Sequence, residues 1–295
     1  MRKLHGRSQL SLLFVVQSKH WRLPPTLLRV ISSYLSLPSQ LLYIQRSQAL
    51  LFDPETQQWT KAFAYPPIRE FEVWKAAVVS AREIVVVVVD PWNVLYTYLL
   101  SQEKSIWQAD FYPYRTDFGL VYSSVRDTVY LFGGLRAGLI ETSSGALVLN
   151  DKEWDYLPNL TIPRYAFNPV LYGPLIYLCG GGGATIETFH PYSRTYTLIP
   201  SISLPPDPRD QWETACTVGN SALIILSGRS ISLFNPTAST IQHKQIAGLS
   251  GRWRSAYSCS APVVVGNRVY VVNCLMPVVC KINLASGRLE AEIRT

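Results

Sequence analysis

Histidine is scarce in this chain. Four occur in 295 residues, and two of them, His5 and His20, fall in the N-terminal tail. That leaves His190 and His243, too few to build a site of two or three imidazoles with a carboxylate, so no metal and no cofactor is expected. The five cysteines (Cys179, Cys216, Cys259, Cys274, Cys280) form no CxxC pair and are odd in number. This excludes a disulfide framework or zinc site as the organising element and predicts small buried thiols in a reducing, cytoplasmic setting. Charged residues make up only 16%. The net charge of +7 is spread without a Lys/Arg run, so the excess predicts a mildly basic solvated surface and no nucleic-acid partner. Long apolar runs are also missing. Ile84 to Val89 is the longest, too short for a membrane helix, so no membrane association is expected. The basic stretch Met1 to Arg7 and apolar Leu10 to Val16 imitate a secretory signal, but no small-x-small cleavage site follows.

What the chain does have is a period. Arg69, Arg115, Arg164, Arg209 and Arg254 recur at spacings of 46, 49, 45 and 45 residues. After each comes an apolar strand, then Gly-Gly or its remnant, then a hairpin closed by an aromatic or aliphatic residue. The glycine position is held by Gly133-Gly134, Gly180-Gly181 and Ser227-Gly228, and is lost to Val85–Val89 and Val271-Val272-Asn273 elsewhere. The hairpin turns are Phe52-Asp53-Pro54, Phe189-His190-Pro191, Phe234-Asn235-Pro236 and Ile282-Asn283-Leu284. Trp59, Trp107, Trp154 and Tyr196 close the hairpins, with Ile241 and Leu289 in the last two units. A fixed period of this length means stacked or ring-forming units. Each unit holds about four strand-like runs, in the third Gly119–Tyr122, Thr128–Phe132, Ala146–Leu149 and Trp154–Leu157. Four strands per unit, repeated radially, describe an all-β propeller. Glycine pairs there let backbone pass closely or turn with positive φ. The 48% apolar content suits a large core, and 20 prolines and 17 glycines punctuate the runs.

These residues resemble kelch repeats over Leu41 to Thr295. The likeness is best in the third and fourth units; the Gly pair is lost in the second and sixth, and the Trp in the last three. It implies a ring of six four-stranded blades, with five or seven as alternatives. Such rings usually close with strands from both chain ends in one blade. A WD40 ring shares the period, but its Gly-His…Trp-Asp pairing does not recur.

The domains expected are residues 1–39, a tail with one helix, and 40–295, the propeller. Apolar residues at Leu27, Leu28, Val30, Ile31, Tyr34 and Leu35, behind Leu23-Pro24-Pro25-Thr26, fit a short amphipathic helix over 23–35. The wording resembles the first helix of an F-box, which implies an adaptor-binding surface of Leu23, Pro24, Leu27, Leu28, Ile31 and Leu35. A helix that packs on the propeller and staples it is the other reading.

Propeller enzymes carry recognisable residue sets. A kelch-fold copper oxidase, by that resemblance, needs His ligands with Tyr and Cys near the axis, and a sialidase needs Ser-x-Asp-x-Gly-x-x-Trp boxes. Neither set is here. The tetraglycine Gly180–Gly183 lacks a following Gly-Lys-Ser/Thr and sits at the repeat's glycine position, and His190 sits at a turn position. The chain is therefore expected to be no enzyme, with no catalytic residue. The expected function is a protein-interaction module that binds through loops on one propeller face. Substrate recognition for a cullin–RING ubiquitin ligase is the alternative, and an oxidase the least expected. The five arginines, with Phe71, Phe118, Tyr165, Trp212 and Tyr257 nearby, fit either an inter-blade packing role or a rim for an acidic or phosphorylated partner segment.

Overall fold

In the computed structural model, the described residues are 41–44, 48–53, 56–64, 73–80, 83–89, 95–101, 107–111, 115–136, 141–150, 153–181, 185–203, 214–219, 222–227, 230–247, 262–273 and 278–294. The chain divides into two units, Met1–Pro38 and Ser39–Thr295. The helix expected over 23–35, with Leu23, Pro24, Leu27, Leu28, Ile31 and Leu35, lies outside the described residues, as do Arg69, Arg209 and Arg254.

Every described element is a strand. The first sheet is β1 (Leu41–Ile44), β2 (Gln48–Asp53) and β3 (Gln58–Ala64). The second is β4 (Val73–Ser80), β5 (Glu83–Val89), β6 (Leu95–Ser101) and β7 (Trp107–Phe111). Next come β8 (Arg115–Thr116), β9 (Gly119–Ser123), β10 (Thr128–Phe132), β11 (Leu135–Arg136), β12 (Glu141–Thr142), β13 (Ala146–Asn150) and β14 (Glu153–Leu157). Of these, β9, β10, β13 and β14 make the third sheet, and β8, β11 and β12 a separate small one. The fourth sheet is β15 (Val170–Tyr172), β16 (Leu175–Cys179), β17 (Thr185–His190) and β18 (Thr195–Ser203). The fifth is β19 (Thr214–Gly219), β20 (Ala222–Ser227), β21 (Ser230–Asn235) and β22 (Thr240–Gln245). The sixth is β23 (Val263–Val265), β24 (Arg268–Asn273), β25 (Val278–Asn283) and β26 (Arg288–Arg294). All pairings within these sheets are antiparallel, and all join chain neighbours save β10–β13 and β8–β11.

The apolar runs of the strands are two interleaved patterns. A strand's side chains alternate between faces, and here both faces are covered. In β10, Val129 and Leu131 pack with Val85 and Val87 of the second sheet, while Tyr130 and Phe132 pack with Ile176, Leu178 and Phe189 of the fourth. In β16, Ile176 and Leu178 face the third sheet, whereas Tyr177 and Cys179 join Leu223, Ile225 and Phe234 of the fifth. In β20, Ile224 and Leu226 turn to Val269, Val271 and Cys280 of the sixth. Fully burying one such side chain stabilises by roughly 1.5–3 kcal/mol, so the seams hold the sheets in a stack. The first strands follow one another, β4 beside β9, β9 beside β15, β15 beside β19 and β19 beside β23. The last sheet buries its far face too, with Val263, Tyr270 and Val279, and β1 lies beside β24. Stacking of this kind is a β-propeller.

The blade count differs from the expectation. The third to sixth sheets are four complete blades with both faces described, rather than six. The β4–β7 sheet has four strands, but the first has three. No described sheet mixes strands from the two chain ends, because β26 pairs with β25 alone inside the last blade. The reason is visible in the spacing: residues 40 to 63 hold room for three strands, and the final unit supplies its own four.

Candidate functional site

Each blade has a glycine end, where β10 and β16 terminate, and a hairpin end, where β9 turns into β10 and β17 into β18. The glycine end holds Arg115 and Arg164. Arg164 is fully buried: its Nη1 donates to the Gly180 and Thr185 carbonyls (3.1 Å to the latter), and its Nη2 to Thr185 Oγ1 at 3.0 Å. Its Nε meets Glu187 Oε2 at 3.4 Å, and Glu187 Oε1 accepts the Thr161 N–H at 2.8 Å. Arg115, also buried, donates from Nη1 to the equivalent carbonyls, Gly145 at 2.8 Å and Gly133 at 3.4 Å. Leu147 stands where Glu187 stands one unit later, so the carboxylate is particular to the fourth blade. A guanidinium used this way clamps the start of one strand to the end of another. These bonds tie Arg115 and Arg164, each in the segment that enters a blade, to the glycine end of that same blade, and both side chains are buried.

The glycines exist to let this connection pass. Gly133 has φ of 63°, and a Cβ there would lie 2.1 Å from the Arg164 carbonyl oxygen. Gly134 N–H donates to that same oxygen at 2.8 Å, and Tyr165 N–H to the Gly181 oxygen at 3.0 Å. Two residues past Arg115 and Arg164 the backbone is left-handed, at Asp117 (φ 51°) and Ala166 (φ 53°), and Ala166 N–H donates to the Asp117 oxygen. That twist drives Phe118 and Phe167 into the seams, both fully buried. The aromatic that matters therefore stands three residues after the arginine. Tyr165, one residue after, is only half-buried, and burial pushes its phenol up. Comparing offsets from each arginine would have found Phe167 in the sequence.

The hairpin end holds the turn residues. Asn235 Oδ1 accepts N–H groups of Thr237 and Ala238 at 3.0 Å, Asn283 Oδ1 those of Ala285 and Ser286 at 3.0 Å, and Asp53 Oδ1 that of Thr56 at 3.4 Å. His190 does the same work through Nδ1, which accepts Ser193 N–H at 3.2 Å. It is a turn residue, as its place in the repeat predicts. His243 approaches Ser232 Oγ at 2.8 Å through Nδ1, a spacing that a nucleophile and base would share. Ser232, however, is 1% exposed and lies between paired strands, so this pair offers a substrate no hydroxyl. Among the described residues no three His, Cys, Asp or Glu side chains group as metal ligands, and no helix is long and apolar enough to cross a membrane.

One surface constellation was missed by the sequence. The third blade's β9–β10 turn and the fourth blade's β17–β18 turn meet across their seam. Tyr192 is 59% exposed, and its hydroxyl donates to the Val125 carbonyl at 3.1 Å. The Arg126 guanidinium lies over the Tyr192 ring, 5.1 Å from its centre. Arg194 leaves the same turn from a left-handed residue, φ 55°, and is exposed. Both charges act on the buried Tyr130, whose phenol is pushed up by burial and pulled back by Arg126 and Arg194. No motif marks this group, because its members stand 66 and 68 residues apart and only the stacking of blades joins them.

No protein-family model matches the chain, and no curated protein matches it. Solved structures do. A Bacteroides caccae protein of unknown function is 13% identical, with 87% of this chain and 94% of that one covered at a TM-score of 0.56. A chain of a nidogen/laminin complex is 12% identical, with 87% and 93% covered at a TM-score of 0.58. At such identities the likeness shows the fold, an all-β propeller.

Proposed function

We propose that this propeller is a protein-interaction module of the kelch type, not an enzyme. One observation carries the reading. The residues that the repeat keeps constant are spent inside the scaffold, Arg115 and Arg164 on carbonyls and His190 and Asn235 on turns, while the turns between them carry differing exposed side chains. Rigid frames with variable loops are built to be read by partners. Affinity capture with the full chain, beside a truncation beginning at Ser39, tests it. A partner held at stoichiometric level by both supports the reading; turnover of a small molecule by the purified chain, with no partner retained, overturns it.

The Leu23–Leu35 wording favours a second reading, a ubiquitin-ligase substrate receptor. In that case Leu27→Asp or Ile31→Asp abolishes co-purification of the ligase adaptor while leaving the other partner bound.

A further inference from the structure

We propose that Arg126, Tyr192 and Arg194 form an anion-recognition patch on the hairpin end of the third–fourth blade seam, which takes a phosphate monoester or carboxylate on a partner polypeptide. This rests on the interaction-module reading and names its partner chemistry. It also moves the anion site away from the glycine end, where Arg115 and Arg164 are buried.

Three features carry it. Two exposed guanidiniums come from separate blades, Arg126 over the Tyr192 ring and Arg194 two residues beyond Tyr192, and among the described residues neither makes an ion pair. Like charges held together raise the local potential, and a bound oxyanion relieves their repulsion. The aromatic between them is fixed at both ends, its hydroxyl on the Val125 carbonyl and its face under Arg126, so little ordering remains for binding to require. The nearest carboxylate in sequence, Asp127, is engaged by the Tyr122 hydroxyl at 2.6 Å. The scale fits a single anionic group. The adjoining hairpin strand β14 exposes Glu153 and Asp155, which would repel the next phosphates of a nucleic-acid strand.

The test uses the full chain and three degenerate hexapeptide pools, centred on phosphoserine, glutamate or serine, with a 12-nucleotide single strand as competitor. Binding is read by fluorescence anisotropy. The phosphoserine pool, the glutamate pool or both bind at least fivefold more tightly than the serine pool, and their ratio tells phosphate from carboxylate. Arg126→Gln and Arg194→Gly each weaken that binding at least fivefold, and Arg194→Gly does so without loss of thermal stability because it relieves the positive φ. Equal binding of all pools, no binding, or unchanged binding by a folded double variant overturns the patch. Displacement by the oligonucleotide at lower concentration than by peptide overturns the polypeptide assignment. A captured partner that survives the double variant sinks the patch alone and leaves the interaction module standing.

Discussion

Arg164 and Glu187 meet at 3.4 Å with neither side chain exposed to water, and Glu187 also receives the Thr161 N–H. Removing one member leaves the other charged and buried. Arg164→Met is therefore expected to cost about 3–5 kcal/mol, and Arg164→Met with Glu187→Leu less than the single change. Urea unfolding of the three proteins checks this; a single variant within about 1 kcal/mol of the parent would refute the clamp.

Two glycines with similar backbone separate conformation from crowding. Gly173 has φ of 58° and open space where a Cβ would go, so Gly173→Ala costs only the left-handed penalty, about 1–2 kcal/mol. Gly133→Ala adds a collision with the Arg164 carbonyl and is expected to cost clearly more, or to prevent folding. Thermal melts of the pair give the answer, and equal losses would contradict the close passage.

Much of the frame was legible because it is local. Strand limits in the third unit, the glycine conformations and the turn role of His190 follow from residues within one repeat. What stayed hidden depends on contact between repeats. Trp154 closes its hairpin as the repeat predicts, but nothing in its own unit shows that it is buried against the second sheet, where its Nε1 donates to Thr97 Oγ1 at 2.8 Å. The extra hairpin β11–β12 was readable in principle: eleven residues separate Gly134 from Ala146, against three between Gly181 and Thr185. The Arg126–Tyr192–Arg194 group needed the stack itself.

The fifth blade's hairpin offers a stabilising change. Ser239 holds φ of 51° at the position where the last blade has Gly287 at 66°. Ser239→Gly is expected to raise stability by up to about 1 kcal/mol, offset in part by greater freedom of the unfolded chain. A rise in melting temperature supports the equivalence of the two turns; a fall removes it.

Cys280 is buried against the fifth blade, and burial with nearby Glu292 pushes its thiol up to about 11. Only the thiolate attacks an alkylating reagent, so at pH 8 the folded protein should leave Cys280 unmodified by iodoacetamide, while in urea it reacts. Peptide mass spectrometry reads the difference; rapid labelling of the native chain would place this thiol at the surface.

Past the end of β22, Ile246 enters the core between the last two blades and Ala247 bonds the neighbouring blade, accepting Leu289 N–H and donating to the Gly287 oxygen, both at 2.9 Å. The bridge is parallel and sits at the beginning of β26. Fraying of β26 from its Arg294 end would reach this staple last. β26 is thus fastened at its Arg288 end to the blade before it, and releasing the strand completely requires disturbing that blade.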